Sequence, residues 1–186
     1  MKKLNLNQVQ EQFASDRLKI FKTSDLIVSF GVSQRAAGAF LSYNVKKGAV
    51  LRLKPNLFAF KNNLPSAFAI ANNLYCPSYI SFDTALSYYN LIPETVYAVT
   101  SATPKPTREF EVDGMSFDYR RIKSQAFTGY IPVQVDGETV YLATAEKAVA
   151  DFLYFVSLGK RKPNDRLKLD RLDTIKFKKY QSLFRI

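Results

Sequence analysis

Hydrophobic residues recur along the chain with two periods, one helical and one extended, and each change of period marks an element. In LNQVQEQF, residues 6–13, Leu6, Val9 and Phe13 share one side at about 100° per residue, which predicts a helix. LKIF, residues 18–21, reads as a short strand. TSDLIVSFG predicts a second helix, with Thr23 or Ser24 as its N-cap and Gly31 as its stop. After a short glycine-containing turn, Ser33 is placed to cap a third helix. On it Ala37, Phe40, Leu41, Asn44 and Val45 fall on one side, and Arg35, Ala39, Ser42 and Lys46 on the other, with Gly38 and Tyr43 beside them. AVLRL, residues 49–53, alternates as a strand, KPN supplies a turn, and LFAF, residues 57–60, returns as its partner.

KNNLPS, residues 61–66, is polar and carries Pro65, so a boundary is expected there, with one domain over residues 1–62 and a second over 66–186. Beyond it SAFAIANNLY reads as a helix, and Ser81 is expected to cap another with Phe82, Ala85, Leu86 and Tyr89 on one face. VYAVTSAT, REFEV, MSFDYRRI, AFTGYIPVQV and ETVYLAT are β-rich. Two pairs of these runs are joined by Asp-Gly, at Asp113-Gly114 and Asp136-Gly137, the strongest local hairpin signal. A further helix starts at Thr144, with Val149, Phe152, Leu153 and Val156 on one face and Gly159 at its end. The tail from Lys160 is basic with apolar residues at helical intervals. The expected fold class is α+β. An N-terminal winged helix-turn-helix domain, recognised by the order helix, strand, helix, helix, hairpin, is followed by a mixed α+β domain with antiparallel hairpins, flanking helices and a basic helical tail.

Composition narrows the chemistry. With 186 residues, 47% of them hydrophobic, the chain can bury a core without a disulfide or metal, and its single cysteine, Cys76, has no internal partner. No apolar run approaches the roughly 20 residues of a membrane span, and MKKLNLNQVQ does not lead into a signal-peptide core, so a cytoplasmic location with no membrane partner is expected. Histidine is absent, which removes the commonest general base, the usual zinc ligand and the Ser/His and Cys/His nucleophile pairs. Carboxylates remain, and Asp83, Glu109, Glu111 and Asp118 are those a magnesium-dependent nuclease could use. No Glu-x-Lys follows an aspartate on a strand and no Asp-x-Asp cluster occurs, so a non-enzyme with no catalytic residue, metal or cofactor is the expectation.

The net charge of +11 is segregated. Residues 1–64 hold 11 basic and 3 acidic side chains, residues 65–158 hold 6 and 10, and residues 159–186 hold 10 and 3. A basic first segment favours a polyanion, and nucleic acid before an anionic membrane; a solvated basic face with no partner is the alternative. On the third helix, small Ala39 and Ser42 permit close approach to a flat surface, Gln34, Arg35 and Tyr43 can reach base edges, and Lys46 and Lys47 can grip phosphate. Arg52 and Lys54 on the hairpin fall where flanking phosphates would lie. Thr23, Ser24, Ser33 and Asn56, at the helix starts and hairpin turn, complete the expected DNA-contact set.

The runs PSYISFDTALSYYNLIPETVYAVTSAT, AFTGY and LATAEKAVADFLY follow the winged-helix pattern in that order, and together they resemble the AbiEi family of antitoxins from type IV toxin-antitoxin systems, over residues 23–157. The resemblance implies a winged helix that binds double-stranded operator DNA and represses its own operon. It also implies a C-terminal domain that counters a cognate AbiEii nucleotidyltransferase toxin without a stable complex. The motif positions are Tyr79, Ser81, Thr144, Glu146, Lys147 and Asp151. Asn56 and Asn90 stand where such proteins usually place glycine, and asparagine is the residue that next best tolerates positive φ.

Read without the resemblance, the same residues are structural. Ser81 and Thr144 are helix caps, Asp113 and Asp136 are turn residues, and Lys147 with Asp151 forms an i, i+4 surface pair. Tyr75, Tyr79, Tyr88 and Tyr89 belong to core and rim. A winged-helix transcription factor with a ligand-sensing or dimerising second domain, unrelated to a toxin, is the competing function.

Overall fold

A computed structural model of the chain describes residues 4–184. Residues 1–3 and 185–186 lie outside the described residues, and with them the first positions of the expected N-terminal stretch and Arg185 of the basic tail. The fold is α+β and divides into two compact units, Met1–Ser66 and Ala67–Ile186.

In the first unit, α1 (Leu6–Ser15), α2 (Thr23–Phe30) and α3 (Gln34–Lys46) surround a three-stranded antiparallel sheet. Its strands are β1 (Ile20–Phe21), β2 (Val50–Lys54) and β3 (Leu57–Phe60), in the order β1-β3-β2. The strands are two to five residues long, and the helices supply what so small a sheet cannot cover alone. Val9 and Phe13 from α1, Leu26 from α2, Ala37 and Leu41 from α3, and Phe21, Phe58 and Phe60 from the sheet form one apolar core. Phe21 and Phe60 meet at 4.8 Å and Phe13 and Phe21 at 5.1 Å between centroids, distances at which aromatic pairs add to burial.

The start of α2 differs from expectation. Neither Thr23 nor Ser24 is its cap, because the helix begins one residue earlier, with extended Lys22 as the boundary. Asp25 accepts the Lys22 backbone N–H at 2.7 Å, and Asn56 Oδ1 accepts that of Thr23 at 3.1 Å. The other turns follow the residues present. Gly31 closes α2 at φ 62°, Ser33 Oγ accepts the Ala36 N–H at 3.3 Å, and Pro55-Asn56 turns β2 into β3 with Asn56 at φ 61°. Proline at the second position and a positive-φ residue at the third are what a type II turn requires.

In the second unit a mixed six-stranded sheet runs in the order β6-β7-β5-β4-β9-β8. Its strands are β4 (Tyr79–Ile80), β5 (Val99–Thr103), β6 (Arg108–Val112), β7 (Met115–Arg121), β8 (Tyr130–Val135) and β9 (Glu138–Ala143). The hairpins β6–β7 and β8–β9 form at the Asp-Gly pairs, with Asp113 at φ 51° and Asp136 at φ 50° followed by Gly114 at 79° and Gly137 at 77°. Left-handed residues at both central positions match the twist of the strands they join. The centre was not anticipated: β5 pairs parallel with β7 and β4 pairs parallel with β9, and the antiparallel pairing of β4 with β5 between them joins the two hairpins into one sheet.

Both faces of this sheet are covered. Tyr119 on β7 reaches α4 (Ala67–Leu74), where its hydroxyl donates to the Ala71 carbonyl at 2.5 Å. Tyr79 points from the opposite face toward α6 (Ala145–Ser157), which packs against α5 (Phe82–Tyr88) and α7 (Thr174–Ser182). Among the described residues of the tail only α7 is helical, a correction to a helical reading of all of it; residues 160–173 run as loops and turns, with Pro163 among them. Among the described residues, no helix is long and apolar enough to cross a membrane.

Candidate functional site

Two places gather side chains beyond what packing requires. The first is the outer surface of α3 and the hairpin after it. Ala37, Leu41 and Asn44 are buried, and Phe40 and Val45 are partly buried against the same core. Gln34, Arg35, Ala39, Ser42, Tyr43, Lys46 and Lys47 are all exposed, as are Ser33 at the cap and Arg52 on β2. Lys54 is half-buried beside the turn, and the register of β2 against β3 slips between Arg52 and Lys54. Tyr43 is 63% exposed, too much for a packing residue of its size, and the Lys47 ammonium lies 5.9 Å from its ring centroid. No carboxylate occurs in the sequence between Asp25 and Asp83, so nothing acidic on α3, β2 or β3 opposes these cations. The surface therefore offers guanidinium, ammonium, hydroxyl and amide donors over a helix lowered at its centre by Gly38 and Ala39.

Thr23 and Ser24, in the same expected set, lie in the first turn of α2, and Ser24 Oγ stands 3.3 Å from Asp25 Oδ1. Asn56 is exposed, but its amide oxygen is engaged by Thr23, so it holds the hairpin turn to the start of α2. Its role as a brace had no local sequence signal, since 33 residues separate the two partners.

The second place lies inside the second unit, where Lys147 and Asp151 are not a surface pair. Both side chains are 0% exposed and form an ion pair one turn apart on α6. Asp151 is further satisfied by Ser81 Oγ, which donates to Oδ2 at 2.7 Å, and by the Tyr79 hydroxyl at 3.0 Å. A carboxylate with two hydroxyl donors and an ammonium against it meets the condition for burying charge, that every charge be paired and hydrogen-bonded. The Lys147 ammonium also lies 4.7 Å from the Phe184 ring centroid and 5.7 Å from that of Tyr79, in cation–π range. Burial pushes the Asp151 carboxyl up and the Lys147 ammonium down from their ordinary values, each against the pull of the other, and burial with the nearby Asp151 carboxylate pushes the Tyr79 phenol well up.

Ser81, read from sequence as a cap, makes no capping hydrogen bond. Phe82 sits at φ 54°, a left-handed conformation rare for a bulky side chain, and the adjoining Ser81 hydroxyl turns to Asp151 instead. The polar start of α5 is met from the neighbouring strand, where Thr100 Oγ1 accepts the Thr84 N–H at 3.2 Å. Thr144 does cap α6, accepting the Lys147 N–H at 3.3 Å. Glu146 faces the tail and accepts the Asp173 N–H at 3.4 Å. Thus Tyr79, Ser81, Lys147 and Asp151 converge, whereas Thr144 and Glu146 serve the helix start and the tail.

The four carboxylates weighed for metal chemistry do not converge. Asp83 pairs with Arg161, and Asp118 and Glu109 both pair with Arg120, at 2.8 and 3.0 Å. Among the described residues, no three potential metal-ligating side chains lie close enough to hold an ion. No protein-family model matches the chain, and no curated protein matches it.

Proposed function

We propose that the chain is an operator-binding transcriptional repressor and antitoxin of the AbiEi type. In this reading the first unit is a winged helix-turn-helix, with α3 as the recognition helix and the β2–β3 hairpin as the wing. The observation that carries it is the outer face of α3: seven exposed positions, Gln34, Arg35, Ala39, Ser42, Tyr43, Lys46 and Lys47, with a low centre, basic ends and no carboxylate. An α-helix fits the major groove, Arg and Gln have the donor and acceptor geometry to read base edges, and Lys46, Lys47, Arg52 and Lys54 would neutralise phosphates on either side. The antitoxin half rests on the motif order in the second unit, where Tyr79, Ser81, Lys147 and Asp151 form one buried cluster.

Footprinting of the promoter upstream of the chain's own gene tests the repressor half. Protection is expected, with affinity falling by about 0.9 log unit per log unit of salt for each phosphate neutralised; an unprotected promoter overturns it. Co-expression with the nucleotidyltransferase encoded beside it tests the antitoxin half. Growth is expected to be restored, and a toxin left unopposed, or no such reading frame, removes that half alone.

A further inference from the structure

A concavity of about 660 Å³ in the second unit is lined by Thr107, Arg120, Arg121, Phe155, Lys160 and Arg161. Four of these six are cations, in a unit whose strands and helices up to residue 158 carry a net negative charge. Two of the four are already neutralised, Arg120 by Asp118 and Glu109, and Arg161 by Asp83. Arg121 and Lys160 are exposed and have no carboxylate partner among the described residues. Thr107 Oγ1 accepts the Arg121 backbone N–H at 3.2 Å, which ties the two together at the rim and leaves the hydroxyl proton free to donate. The walls are thus held by internal ion pairs, while Arg121 and Lys160, whose ammonium lies 6.0 Å from the Phe155 ring centroid, carry no carboxylate partner among the described residues and line the groove with the Thr107 hydroxyl. We infer that this groove is an anion site for the phosphoryl groups of a nucleotide or a nucleic-acid strand. Its volume falls within the range of small-molecule sites, about 300–1,000 Å³, and the arginine fork with a hydroxyl beside it is suited to phosphate oxygens. No residue of α3 lines the groove, and the inference does not depend on the operator reading.

The test uses the full chain carrying Arg35→Ala and Arg52→Ala, so that anion binding by the first unit is weakened. Backbone amide resonances are followed while ATP is added in one arm and a single-stranded RNA oligonucleotide in the other. Shifts are expected around Thr107, Arg121 and Lys160, with affinity falling about tenfold or more in Arg121→Glu/Lys160→Glu and by less in Arg121→Gln/Lys160→Gln. Equal binding of both probes assigns a nucleotide site, and tighter binding of the oligonucleotide assigns a strand site; either supports the groove. No shift at these residues in either arm, or shifts that survive the double charge reversal in a folded protein, overturns the inference.

Discussion

The core of the first unit is hydrocarbon and aromatic throughout, from Val9 and Phe13 to Phe58 and Phe60, and its buried polar side chain, Asn44, is satisfied by the Phe40 carbonyl at 2.8 Å. The second unit instead seals Lys147 and Asp151 away from water and surrounds them with Ser81, Tyr79 and the ring of Phe184. The difference locates specificity. An apolar core tolerates many sequences of similar volume, so what is particular about the first unit lies on its surface, on α3 and the hairpin. A buried ion pair tolerates few, because removing either partner strands the other without water. What is particular about the second unit therefore lies inside, and it is complete only when the tail covers it.

The sharpest way to break this contrast is Lys147→Met, which leaves Asp151 buried without its counter-ion. A loss of about 3–5 kcal/mol in the stability of the second unit is expected by chemical denaturation. The double variant Lys147→Met/Asp151→Leu should recover only part of that, since it removes the stranded charge but leaves the buried Ser81 and Tyr79 hydroxyls without the acceptor that Asp151 supplied. If the single variant is harmless, the pair is wetter than its 0% exposure indicates and the contrast fails.

Next in size is Phe184→Ala. Helix α7 has no fully buried residue of its own, and the tail is anchored beyond it, where Phe184 is 1% exposed and stacks on Tyr154 at 4.3 Å. Gln125 Nε2 donates to the Leu183 carbonyl at 2.7 Å, and Lys123 holds the carbonyl of Phe184. Truncation should cost about 3 kcal/mol, the size expected for removing a buried aromatic ring. It should also raise amide exchange over residues 174–184 more than elsewhere. Uniform loss of protection across the second unit would instead make the tail part of the core rather than its cover.

These two residues also mark where sequence reasoning stopped. Elements whose partners are local were legible: the α3 faces and the Asp-Gly hairpins follow from residues a few positions apart, and Asn56 and Asn90, at φ 61° and 55°, are left-handed where the resemblance placed glycine. The two-residue strand β4 was not, because its pairing with β5 and β9 depends on residues about twenty and sixty positions away. Lys147 and Asp151 looked like a surface pair because an i, i+4 spacing is the same in water and in a core. The available signal was the breadth of apolar residues around α6, where Ala148, Val149, Ala150, Phe152 and Phe155 leave little of the first three turns for solvent. Phe184 carried no local signal, since it buries itself against residues 30 or more positions earlier.

For the first unit the contrast is sharpened by separating reading from gripping. Under the operator proposal, Arg35→Ala should cost about 1–3 kcal/mol on the preferred sequence and much less on unrelated DNA, because a base-edge contact discriminates. Arg52→Ala should weaken binding to all sequences alike and reduce the salt slope by about 0.9. Fluorescence anisotropy on operator and scrambled duplexes, over a salt series, separates them. Identical effects of the two changes on both duplexes would leave α3 without a reading role.

The smallest expected effect concerns Asn56, which meets two demands at once: a left-handed backbone at the hairpin turn and an acceptor for the Thr23 N–H. Asn56→Gly keeps the first and removes the second, so it should cost up to about 1 kcal/mol, the size of a lost helix-start hydrogen bond. Asn56→Ala removes both and should cost about 1 kcal/mol more, because a Cβ penalises the left-handed conformation that glycine adopts freely. Thermal denaturation of the two variants gives the order directly. If the alanine variant is no worse than the glycine variant, backbone conformation is not what asparagine supplies, and the brace to α2 carries the whole effect. In either order the consequence stays within the first unit, where a single exposed side chain joins the hairpin to the helix that precedes α3.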